Sequence, residues 1–326
     1  MKKLSLPRLG RFGLACAGLA GALMLNACGG GDLVTTFQPG RVLVFGDEGS
    51  VLTPTGARYG INGLTAGDST AVPPVLPTFN CGLNPIWVQV LTGHYNMGFA
   101  ECPNNLDTAT PRGRIFAAAD TGVAELAAQI TAAAGAAGFT NSDLTTVYTG
   151  QKDIIAAYQA MSSGADIGNA RAAGEAAGTA LAQQVNRLAD AGARVLIVTV
   201  PNVGITPFAL AEQAARPDFD RVDALRQITE RFNAKLRSTI YNDGRRIGLI
   251  QLDEYVGVVM SYPPGYGYAN WTQPACTVAL PNCTSETLVT GATSGNYLFA
   301  DDRRVGPGAQ LQTGNLAVQR AVNNPF

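Results

Sequence analysis

The chain contains a single histidine, His94. That count restricts its chemistry more than any other feature, because histidine-cluster metal sites and Ser-His catalysis each need an imidazole in the right place. His94 follows Leu91-Thr-Gly93 in a long stretch of weak periodicity, where a loop or surface histidine is expected rather than a catalytic base. The other reactive set is six cysteines: Cys16, Cys28, Cys81, Cys102, Cys276 and Cys283. The last four suit two disulfides if the chain reaches an oxidising compartment. Of the three possible pairings, the sequence-local one, Cys81 with Cys102 and Cys276 with Cys283, is expected, since each pair brackets a loop containing Pro and Asn. Zinc is the alternative for four thiols, but the spacings lack any C-x-x-C and the compartment argues against it. Neither a metal nor a cofactor is expected.

Export is written at the amino terminus. Lys2, Lys3, Arg8 and Arg11 form a basic n-region, Phe12 to Leu25 an apolar h-region, and Leu25-Asn26-Ala27-Cys28 resembles the box cut before a cysteine that becomes diacylated. Residues 1–27 therefore read as a lipoprotein signal peptide, and residues 28–40, with Gly29-Gly30-Gly31, as a lipidated cysteine and flexible tether. No aspartate follows Cys28 to suggest inner-membrane retention. The expected location is the outer membrane, with the membrane itself as a partner through the lipid on Cys28 and the face left open.

The elements that must position any site begin at residue 41. The chain has 326 residues, 46% hydrophobic and 14% charged, enough for a sizeable core under a thinly charged surface. The formal net charge is -1 with no charged block, so nucleic acid is not an expected partner. Short apolar runs at Arg41 to Phe45, Arg114 to Ala118, Thr145 to Thr149, Val195 to Val200 and Ile247 to Leu252 have the form of buried strands. Between them, Leu181, Val185 and Leu188 share a helix face, as do Leu225, Ile228, Phe232 and Leu236, and Ala118 to Ala137 reads as a small-residue helix. Alternating strand and helix over more than 200 residues implies a parallel sheet covered on both faces, with any site at the carboxyl ends of its strands. Two long excursions interrupt the rhythm, residues 50–113, with a helical stretch near Pro85 to Val90, and residues 261–298, carrying Tyr262, Tyr266, Tyr268 and Trp271. The second is a candidate contact for a glycan, lipid or acyl chain.

Four blocks in this frame resemble the motifs of the GDSL or SGNH esterase and lipase family, in order and over nearly all of residues 41–326. Phe45-Gly-Asp-Glu-Gly-Ser50 is similar to F-G-D-S-x-S, whose first serine is the nucleophile. Arg114-Ile-Phe-Ala-Ala-Ala-Asp-Thr-Gly122 is similar to the block that supplies an oxyanion-hole glycine. Val147-Tyr-Thr-Gly-Gln-Lys-Asp153 is similar to V-x-x-G-x-N-D, whose asparagine is a second oxyanion donor. Asp301-Asp-Arg-Arg-Val-Gly-Pro-Gly-Ala-Gln310 is similar to D-x-x-H-L-T-P-x-G-H, whose first histidine is the general base and whose aspartate orients it. The resemblance implies a three-layer α/β/α, flavodoxin-like fold with two long loop insertions.

The same resemblance implies that the chemistry is lost. Glu48 stands at the nucleophile position, Ala119 or Asp120 at the glycine, Lys152 at the asparagine and Arg304 at the base, and Asp301 alone is retained. Ester cleavage needs a hydroxyl activated by a base and donors aimed at the developing oxyanion. Arginine accepts no proton at physiological pH and glutamate brings no hydroxyl. The expected function is an envelope lipoprotein with an esterase fold in a binding or structural role. The alternative is an active carboxylic-ester hydrolase that uses Ser50, or a water activated by Glu48. In the family fold Glu48, Lys152 and Arg304 meet at one spot, where Glu48 is expected to pair with both cations.

Overall fold

The structure, a computed structural model, describes residues 36–102, 110–324 and 326. The expected signal peptide, Cys28 and the tether up to residue 35 lie outside the described residues.

Strand β1 (Arg41–Gly46) is buried from Val42 onward. The first excursion follows with strands β2 (Gly63–Leu64) and β3 (Phe79–Asn80) and helix α1 (Trp87–His94). Next come β4 (Gly113–Ile115), α2 (Val123–Ala134), β5 (Asp143–Tyr148), α3 (Gln151–Gln159), α4 (Ile167–Asp190), β6 (Arg194–Val198), α5 (Pro207–Ala215), α6 (Arg221–Thr239), β7 (Ile247–Ile250) and α7 (Leu252–Ser261). The second excursion holds β8 (Asn270–Pro274) and β9 (Tyr297–Phe299), and α8 (Pro307–Asn323) closes the chain.

The main sheet has five strands in the order β4-β1-β5-β6-β7, every neighbouring pair parallel. Counting only these five, the order is 2-1-3-4-5, the doubly wound flavodoxin-like arrangement, and its direction of winding reverses beside β1. Period-two alternation along β1 divides the core. Leu43 and Phe45 face a cluster with residues of α2, α3, α4 and α6, whereas Val42 and Val44 face one with residues of α1, α7 and α8. The architecture is therefore helix, sheet, helix in three layers. On the first face α4 lies unusually close to α6: a Cβ on Gly178 would stand 2.2 Å from the carbonyl oxygen of Phe232, so only glycine permits that approach.

Several expected boundaries move, those after β1 the most. The strand expected over residues 114–118 ends at Ile115, because the chain turns over the end of β1 while Phe116 and Ala117 still donate to the Val44 carbonyl. The alanine-rich helix begins at Val123 rather than Ala118, with Glu125 accepting the Gly122 N–H at 2.7 Å as an amino-terminal cap.

The described parts of the two excursions are held by covalent and polar ties. Cys81 joins Cys102 and Cys276 joins Cys283, the sequence-local pairing. Arg58 is fully buried, has no carboxylate partner among the described residues and donates to the carbonyls of Cys81, Leu83 and Asn84, and desolvation brings its guanidinium down to about 10. Asn62 bridges the two excursions. Its side chain donates to Pro281 at 2.7 Å and Cys283 at 3.0 Å, its N–H donates to the Cys283 carbonyl, and its own carbonyl accepts from Ser285.

Candidate functional site

Parallel strands deliver their carboxyl ends to one edge, and the loops leaving β1, β4 and β5 meet there with the loop between β9 and α8. β1 must end in glycine. Gly46 has φ +123°, and a Cβ there would fall 1.9 Å from the Tyr148 carbonyl oxygen. Gln129 of α2 holds this peptide at both ends, accepting from the Gly46 N–H at 2.8 Å and donating to its carbonyl at 2.9 Å. The chain then turns through Asp47, whose Oδ1 accepts the Gly49 N–H at 3.0 Å, and sets Glu48 at the mouth of a cleft.

Glu48 is locked. Its Oε1 accepts from Arg304 Nε at 2.8 Å and also from Nη2, while its Oε2 accepts the backbone N–H of Asp120 at 3.0 Å. Both side chains of the ion pair are mostly buried, 15% and 19% exposed. Asp301 orients Arg304 from the other side: one oxygen accepts the N–H groups of Arg303 and Arg304, and the other pairs with Arg304 Nη1. Tyr59 lies under the guanidinium, its ring centre 5.8 Å from Cζ. The two carboxylates raise Arg304 against the opposing effect of desolvation, so its charge is permanent.

Ala119 and Asp120, the two candidates for the glycine position, differ in backbone. Asp120 has φ +55°, the left-handed region that glycine adopts without strain, and its N–H points into the site. That N–H is the donor an acyl-transfer site would aim at an oxyanion. Here the Glu48 carboxylate takes it.

Lys152 departs from the sequence expectation. Its Nζ donates to the Asp120 carbonyl at 2.5 Å and lies 3.4 Å from the Asp120 carboxylate, not beside Glu48. The physical reason is reach and hydration: the Lys152 side chain is 47% exposed and stays at the wet rim, while Arg304 fills the inner position with its forked donors. Glu48 is thus held by one cation and one peptide N–H instead of two cations.

Ser50 is not among the residues that line the cleft. It is fully buried beneath the turn, and its Oγ accepts the Trp87 indole N–H at 3.0 Å, tying β1's exit to α1. His94 is exposed at the far end of α1, its ring edge-on to Tyr95, and takes no part in the site. Asp153 accepts the Val123 N–H at 3.0 Å and braces the start of α2; desolvation raises its carboxyl. Asp47 is more strongly affected. Desolvation, followed by the neighbouring Glu48 charge, pushes it up to about 8. Desolvation also raises the Tyr148 phenol, with Asp47 and Glu48 adding to it.

Two glutamines support the turn. Gln310 occupies the last histidine position of the fourth block, and its amide accepts the Trp87 N–H at 3.1 Å and donates to the Gly49 carbonyl at 3.4 Å, clamping α8 to the turn. Gln129 lies outside every block. The cleft encloses about 840 Å³ counted out to its open mouth, with Ile155, Pro201, Ile205, Val256 and Phe299 on its apolar side. Among the described residues no grouping of three or more His, Cys, Asp or Glu could hold a metal ion. No described helix is long and apolar enough to cross a membrane.

The fold is similar to that of a member of the lipolytic protein G-D-S-L family from Veillonella parvula, at 10% identity and a TM-score of 0.42, over 86% of this chain and 96% of that one. No family model and no curated protein matches the sequence.

Proposed function

We propose that this chain is an outer-membrane lipoprotein, anchored through Cys28, in which an SGNH-hydrolase-like domain binds or scaffolds and does not cleave esters. The observation that carries the reading is the Glu48–Arg304 pair. A carboxylate and a guanidinium occupy the positions of nucleophile and base, and the Asp120 N–H that would meet an oxyanion is bonded to Glu48 instead. No hydroxyl within the pair can attack a carbonyl, and the pair offers no neutral base. Asp301, freed from orienting an imidazole, orients the arginine. The amino-terminal sequence from Lys2 to Cys28 supports export and lipidation.

A short-chain chromogenic ester incubated with the purified protein tests the reading. The expected rate equals the uncatalysed background. Turnover that disappears in Glu48→Gln or Ser50→Ala would overturn it.

A further inference from the structure

Helix α7 ends in a proline turn that presents two aromatic rings to solvent. Pro263 and Tyr268 point inward and are buried, Tyr268 packing with Val259, Leu298 and Phe299. Tyr262 and Tyr266 are 65% and 47% exposed. The turn is fixed by its own backbone: Gly265 donates to the Tyr262 carbonyl at 3.1 Å, Gly267 to Pro264 at 3.0 Å and Tyr268 to Pro263 at 3.2 Å.

The rings are held as well as exposed. Tyr262 lies against Gly265, where a Cβ would stand 2.4 Å from its ring, so the ring is backed by peptide while most of it stays exposed. Tyr266 is held edge-on by Tyr255, ring centres 6.4 Å apart. Val258, one helical turn before Tyr262, is 54% exposed and extends the apolar floor. Rings already fixed lose little conformational freedom on binding, which favours a ligand that lies flat on them.

Charge decides the class of ligand. From Ile247 to Asp302 the chain has no lysine, arginine or histidine. Arg237, which reaches α7 from α6, is already bonded to Asp253 and Glu254. A phosphate, an anionic lipid or an acidic peptide would find no counter-charge within this stretch. Exposed side chains beside the turn and in the strand that follows it, among them Ser261, Thr272 and Gln273, are uncharged and hydrogen-bonding. A pyranose matches this surface: its C–H face is weakly positive and sits on the negative face of an aromatic ring, while its hydroxyls meet amides and hydroxyls at the edge.

We infer that the turn Tyr262–Tyr268 is a carbohydrate platform, on which Tyr262 and Tyr266 receive neighbouring sugars of a neutral glycan chain. The platform uses no residue of the Glu48–Arg304 site and does not depend on lipidation, so it stands or falls apart from the proposed function.

The test titrates the full-length protein in detergent, by calorimetry, with the β-1,4-linked tetramers of N-acetylglucosamine and of glucose. Saturable binding to one of them is expected, weakened at least tenfold in Tyr262→Ala and in Tyr266→Ala and kept in Tyr262→Phe, which preserves the stacking face. Circular dichroism of the variants guards against loss of fold. No binding to either sugar, or binding that both alanine variants leave unchanged, overturns the platform. So does binding of the Cys28→Ala protein to phosphatidylcholine vesicles that is lost in the same two variants, which would make the turn a lipid contact.

Discussion

Arg304 and Glu48 lie 256 residues apart in the chain, yet Arg304 Nε meets Glu48 Oε1 at 2.8 Å above the end of β1. The relationship is unequal. Arg304 serves Glu48 and Asp301 together, whereas Glu48 keeps the Asp120 N–H as a second partner. Removing the arginine strands two mostly buried carboxylates, while removing the glutamate leaves the arginine with Asp301. Arg304→Ala should therefore cost about 3 kcal/mol and Glu48→Ala about 1 to 2 kcal/mol. Urea denaturation of both variants checks the order; equal costs would contradict it.

Asp47 ties stability to pH in the direction opposite to an ordinary paired carboxylate. In the folded chain it holds its proton up to about 8. In the unfolded chain it releases it near about 4. The folded state thus binds more protons across that window, and this group's contribution declines as pH rises from the lower value to the upper one. Asp47→Asn keeps an oxygen for the Gly49 N–H and cannot ionise. It should match wild type at pH 4 and exceed it at pH 8, and thermal melts at the two values that show no divergence would count against the shift.

Asp120 occupies a left-handed conformation that side chains adopt at a cost of about 1 kcal/mol. Its exposed carboxylate contributes little through Lys152. Asp120→Gly should be neutral or stabilising by up to about 1 kcal/mol, and Asp120→Val destabilising, because a β-branched residue fits φ +55° poorly. Chemical melts that rank valine above glycine would exclude this account.

Catalysis should be recoverable only as a set. Glu48→Ser alone lacks a base, and Arg304→His alone lacks a nucleophile. Combined with Asp120→Gly and Lys152→Asn they rebuild a hydroxyl, an imidazole beside Asp301 and two oxyanion donors. Turnover of a short-chain ester above background is expected from the quadruple variant and from neither single one.

If Cys28 carries the anchor, Cys28→Ala should lose incorporation of labelled fatty acid and leave an unprocessed or soluble form. Unchanged labelling would remove the lipoprotein reading.

The sequence announces the sheet because its strands are fully buried: Val42 to Phe45 and Val195 to Val198 are continuous apolar runs that need no partner to be recognised. Helix α8 is silent for the converse reason. It buries Ala309, Gln310, Thr313, Gly314, Ala317 and Ala321, small or polar residues chosen for closeness: a Cβ on Gly314 would lie 2.4 Å from Val90 Cβ. Hydrophobic periodicity cannot mark such a helix. At the site, motif order brought Glu48 and Arg304 together, but the diversion of Lys152 to Asp120 depends on side-chain exposure, which spacing does not encode. Gln129 binds Gly46 through a contact spanning 83 residues and belongs to no pattern.

Asn62 has a consequence for how the molecule can vary. Its amide and peptide groups hold the backbone of residues 281–285, so the shape of each excursion is a boundary condition for the other. Shortening residues 281–285 would remove the acceptors on which Asn62 folds, and moving Asn62 would release a loop already closed by its own disulfide. Changes tolerated in either segment alone are those that preserve this trace; longer remodelling has to alter both at once.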